Sequence, residues 1–162
     1  MFALLAVLAP ALAMPLLLWL APPAWPLPRL GSLASWPAAF WLMGIAGCIA
    51  TGAGVLDWHF HRGGGRRIAR AEHSAELLAL SLGAPLFALL TLASGPLPLS
   101  SVLVPIVAVA LLMAALIVFD EVRFHRACGR YETLLHRLLV GGNAIAFLAW
   151  LGWCAQRGAG HA

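Results

Sequence analysis

Five runs of mostly apolar residues, at about 2–20, 36–61, 71–92, 99–125 and 131–153, take up most of this chain. About 20 such residues are needed for a helix to cross roughly 30 Å of hydrocarbon. Inside a bilayer an isolated segment can satisfy its own peptide groups only as a helix. The sequence therefore predicts an all-α integral membrane protein with five transmembrane helices. The 162 residues form one membrane domain, 1–162, with no room for a separate soluble one. Charged residues are only 10% of the chain and hydrophobic ones 62%, whereas about 25% of a soluble domain is charged.

The polar residues are segregated. All six carboxylates (Asp57, Glu72, Glu76, Asp120, Glu121, Glu132) lie in two stretches, 57–76 and 120–136. Five of the six histidines, His59, His61, His73, His125 and His136, lie there too. Each stretch holds an arginine-bearing turn: Arg62, Arg66, Arg67 and Arg70 around Gly63-Gly64-Gly65, then Arg123, Arg126 and Arg130 around Cys128-Gly129. Arginine in short loops marks the cytoplasmic side. With five spans, that puts the N-terminus in the cytoplasm and the C-terminus outside a bacterial-type cytoplasmic membrane. Trp19, Trp25, Trp36, Trp150 and Trp153 would then form an outer aromatic belt, with Trp58 and Tyr131 at the inner interface. No basic face extends beyond the loops, which argues against nucleic acid as a partner. The first run lacks a basic n-region and is longer than a usual signal core, so it reads as a retained helix rather than a cleaved leader.

Spans two and three read as repeated in spans four and five. Phe60-His61-Arg62 aligns with Phe124-His125-Arg126, Asp57 with Glu121, Glu72 with Glu132 and Glu76 with His136. Chance is the competing account of these few identities. A true repeat would make two tandem hairpins related by an axis along the membrane normal.

Residues three or four apart share a helix face. Asp57 with His61, Glu72 and His73 with Glu76, Glu121 with His125, and Glu132 with His136 each meet that condition. Each of four helices thus offers two ligands near its cytoplasmic end, as in bundles that hold two metal ions. Carboxylate with imidazole suits iron, and also manganese or zinc. The expected ligands are Asp57, His61, Glu72, His73, Glu76, Glu121, His125, Glu132 and His136. Asp120 is read as a partner of Arg123, His59 as interfacial and Cys128 as a free thiol. Gly44, Cys48 and Gly52 are read as a small-residue face for a packed helix, and Asn143 as bonded to a neighbouring helix.

The chemistry expected is a non-haem dinuclear, iron-type oxidoreductase acting on a membrane-dissolved lipid, hydrocarbon or quinone, with lipids and a redox partner or larger membrane complex around it. Self-association is compatible with this. Three other readings stand beside it: a non-catalytic or cofactor-binding subunit, a metal transporter, and a b-type haem protein using His61 with His136 or His73 with His125. A plain solvated inner face, its carboxylates paired with arginines, is the structural alternative.

Overall fold

The computed structural model describes residues 18–21, 25, 27, 33–63, 70–95, 97–124 and 128–159. It is all-helical over those residues. After a short 3-10 turn, Leu33–Ser35, come α1 (Ala38–Arg62), α2 (Arg70–Ser81), α3 (Gly83–Ser94), α4 (Leu99–Phe124) and α5 (Arg130–Ala159). The second and third form one rod: only Leu82 interrupts them, with Leu82 N–H bonded to Leu78 O and Leu86 N–H to Leu82 O. Pro85 explains the break, since it has no N–H for the carbonyl of Ser81 and its ring crowds that turn.

Four helical segments, Ala38–Arg62, Arg70–Ser94, Leu99–Phe124 and Arg130–Arg157, are long and apolar enough to cross a membrane. They correspond to the last four predicted spans and support membrane localisation. Most of the first predicted span lies outside the described residues, as do the loop residues 64–69 and His125, Arg126 and Ala127.

The helices pack in two antiparallel pairs, α1 with α5 and the α2–α3 rod with α4. The first helix of each predicted repeat thus lies against the second helix of the other. Narrower contacts of α3 and α4 with α5 join the pairs. Each helix turns one stripe inward. In α1 it is Phe40, Met43, Ala46, Ala50, Ala53 and Gly54; along the rod it is Ala79, Leu86, Leu90 and Ala93; in α4 it is Val102 and Ile106. Many other large apolar side chains face outward, as they do when lipid is the solvent.

The close face of α1 is not the predicted one. Cys48 and Gly52 are exposed, and a Cβ built on Gly44 or Gly52 would meet nothing within 4 Å. A Cβ on Gly142 of α5 would instead lie 2.7 Å from Ala46 O and 2.9 Å from Ala50 Cβ. The backbones therefore touch along Ala46, Ala50 and Gly142. Small residues at four-residue spacing occur on two sides of α1, and only the partner's position decides which side is used.

At the end of the bundle away from the arginine loops, Ser94 is fully buried. Its hydroxyl donates to Leu90 O at 2.7 Å and accepts the Trp150 indole N–H at 2.6 Å. Arg157 donates to Ser94 O at 2.7 Å while lying over the Trp153 ring. Trp150 and Trp153, expected in a lipid-facing belt, are buried against Phe87 and Phe40. Trp19, in contrast, is 73% exposed. Asn143 is also exposed and bonds Leu139 O of its own helix, not a neighbouring one. Replacing Ser94 with Ala is expected to strand the Trp150 N–H and to cost about 1–3 kcal/mol. Thermal unfolding of the detergent-solubilised protein would read this; an unchanged midpoint would show that the indole finds another acceptor.

Candidate metal centre

At the arginine-loop end, the inward stripes run from apolar residues into acids and imidazoles. The stripe of α1 continues to Asp57 and His61, that of α2 runs back to Glu76 and Glu72, and that of α5 to His136 and Glu132. The relative exposures of Asp57, Glu72 and Glu132 are 5%, 2% and 3%. Ionised carboxylates so deeply buried are costly without compensating positive charge. A solvated inner face therefore does not describe these three residues.

The centre of the group is Asp57. Its Oδ1 is buried and makes no hydrogen bond. It lies 3.6 Å from His61 Nε2, one turn along α1, and 3.5 Å from His136 Nε2, on α5. One ligand atom from each of the three residues falls within 4.8 Å of the others. Glu132 Oε1, also on α5, reaches the group through His61 Nε2 at 3.5 Å. These separations are long for hydrogen bonds. They match the edge of a tetrahedron around a cation: metal–ligand distances of roughly 2.0–2.2 Å put neighbouring ligand atoms about 3.3–3.6 Å apart. The residues present thus fit a cation bound by two imidazoles and one or two carboxylates.

Two sequence expectations differ from the geometry. The inward line of α4 runs from Val102 and Ile106 through Met113 and Ile117 to Asp120, which is half-buried with one carboxylate oxygen, Oδ1, fully enclosed. Glu121, the predicted ligand, is 100° further round the helix and exposed. The stripe was already legible as Val102, Ile106, Val109, Met113, Ile117 and Asp120. His73, also a predicted ligand, is half-exposed, its Nδ1 3.7 Å from Glu76 Oε2.

Glu76 is half-buried, with its side chain 28% exposed. Glu72 is buried one turn earlier on α2. His125 lies outside the described residues. His59 is exposed, as expected for an interfacial residue. Phe60 packs edge-on to both His61 and Tyr131, with ring centroids 5.3 and 5.6 Å away. All three cysteines are thiols, exposed at Cys48, intermediate at Cys128 and buried at Cys154.

No family model matches this chain, and no curated protein or solved structure matches it. Its chemistry must be argued from this geometry alone.

Proposed function

We propose that this is a membrane metalloprotein whose cation is held by Asp57, His61 and His136, with Glu132 beside His61. The observation that carries the reading is Asp57 Oδ1, buried without a hydrogen bond at a coordination-edge distance from imidazoles on two helices. Mixed nitrogen and carboxylate ligation favours iron or manganese, with zinc compatible. Such an ion, when bound, supplies redox or Lewis-acid chemistry. The protein holds it under a bilayer-depth bundle, where a lipid, hydrocarbon or quinone is the substrate class that can approach. The reading in full is a non-haem oxidoreductase facing the cytoplasm, supplied with electrons by a separate reductase.

Two alternatives are less well supported. A haem iron between His61 and His136 would need clearance for a macrocycle, yet Asp57 Oδ1 is within 3.6 Å of both nitrogens. A transport route would need polar groups along the bundle axis, but the inward stripes are apolar from Ala53 up to Ser94.

The test is elemental analysis and an optical spectrum of the full chain, purified in detergent from metal-replete cells. At least one iron, manganese or zinc ion per chain and no Soret band is the expected result. A Soret band would replace this reading with the haem one. Metal content no higher than in a His136→Ala control would leave only a buried ion-pair network in a membrane scaffold.

A further inference from the structure

We propose that the outward side of α5, at its arginine-loop end, binds the headgroup of an anionic phospholipid between Arg130 and Arg137, with an acyl chain running down Leu134, Gly141 and Leu148. This goes beyond the metal reading and does not depend on it. Three observations carry it. First, Arg130 and Arg137 are both exposed and stand seven residues apart, so they share one face of α5. Glu132, between them, turns the other way and is buried beside His61. Second, neither arginine has a partner in the protein. Arg62, Arg123 and Arg157 lie over aromatic rings, whereas Arg130 and Arg137 do not, and no carboxylate among the described residues pairs with either. Third, Arg137 lies at hydrocarbon depth. The segment Arg130–Arg157 has 28 residues, or about 42 Å at ~1.5 Å per residue. About 20 residues suffice to cross the hydrocarbon, so a centred segment leaves Arg130 outside it and Arg137 about one turn inside. A cation without a partner there is costly, and a lipid phosphate is the anion within its reach.

The helix aims both groups at one place. Side chains lean toward the N-terminus of their helix, and the N-terminus of α5 is its arginine-loop end. Arg137 therefore reaches out of the hydrocarbon toward Arg130, as long basic side chains do near a membrane surface. Two guanidinium groups on one line offer a phosphodiester paired, fork-shaped donors. The positive end of the helix dipole adds to the attraction. Below them Leu134 and Leu148 are 52% and 61% exposed, and a Cβ built on Gly141 would meet nothing within 4 Å. That line is an apolar track for a chain. A headgroup of net negative charge is favoured over a zwitterionic one, whose ammonium group the two arginines repel.

The experiment uses the full chain, delipidated in detergent and free of metal, with added phosphatidylglycerol or phosphatidylcholine of the same acyl chains. Native mass spectrometry counts the bound lipid. The wild-type chain should hold one phosphatidylglycerol and prefer it to phosphatidylcholine by about 25-fold, since each arginine near the surface contributes roughly fivefold. Arg130→Gln and Arg137→Gln should each weaken phosphatidylglycerol binding by about fivefold and leave phosphatidylcholine binding unchanged. Arg123→Gln, which removes an exposed arginine on α4, should change neither. Equal affinity of the wild-type chain for the two lipids would overturn the site. So would equal losses in all three variants, which would describe a diffuse basic rim. Release of the lipid by excess inorganic phosphate would also overturn it, because a free anion would then be the ligand. The wild-type comparison of the two lipids decides the matter even if a variant fails to fold, and metal-free protein keeps the outcome separate from the metal reading.

Discussion

Asp57→Asn is expected to weaken metal binding by at least about 100-fold, the upper end of what the loss of an outer-shell partner costs. Asparagine has the same shape but removes the anionic oxygen on which His61 and His136 converge. The consequence for stability separates a metal site from a structural ion pair. A cation at about 1,000 times its dissociation constant stabilises the fold by roughly 4 kcal/mol, and a 100-fold weaker site at that concentration by about 1.4 kcal/mol. The variant should therefore lose most of the metal-induced rise in unfolding temperature. Its metal-free stability should be unchanged or slightly higher, because a buried uncompensated anion has gone. If Asp57 were instead the centre of a structural ion pair with two imidazolium groups, the metal-free protein would lose about 3–5 kcal/mol. Thermal unfolding with and without added Mn2+ or Zn2+ distinguishes the two outcomes.

Gly142→Val is expected to be the most damaging single change in the bundle. Its Cβ alone would sit 2.7 Å from the carbonyl oxygen of Ala46, a backbone atom that cannot rotate away. Inserting even small groups into a filled interior costs about 1–3 kcal/mol, and the two γ-methyl groups of valine go beyond that. Relief comes only by moving α1 away from α5. That motion separates Asp57 from His136, which the two helices present to each other at 3.5 Å. The variant should thus lose metal affinity as well as stability, although Gly142 is nearly two turns from His136. Gly141→Ala is the matched control, since a Cβ there meets nothing within 4 Å. It should be neutral or slightly stabilising, because alanine is the better helix former by about 1 kcal/mol. If Gly141→Ala and Gly142→Ala gave the same unfolding temperature, the close helix contact would be refuted.

Four of the five predicted spans were legible because apolar length is a local property. Pro85, which breaks the rod only at Leu82, did not mislead the reading of one span. The site was legible in part for the same reason. Asp57, His61, Glu132 and His136 are paired by spacing along their own helices, and spacing is all that a face requires. Spacing pairs Glu121 with His125, while α4 leaves Glu121 exposed and Asp120 half-buried. Which of the two turns inward depends on which way α4 faces, and that follows from the apolar stripe leading up to Asp120 rather than from the nearest histidine.

By itself, the sequence determined that the chain folds into helices long and apolar enough to cross a membrane and that its acids and imidazoles gather at one end. Both follow from local chemistry: the length of apolar runs, and the cost of placing charge inside them. Only the tertiary structure decided which helix meets which. It set α1 against α5 through Ala46, Ala50 and Gly142, and turned Gly44 and Gly52 outward. It also drew Trp150 and Trp153 inside. Several faces of an apolar helix are nearly equivalent in hydrophobicity when the solvent is lipid. The close fit of small residues between neighbours breaks that equivalence, and fit exists only once two helices are side by side.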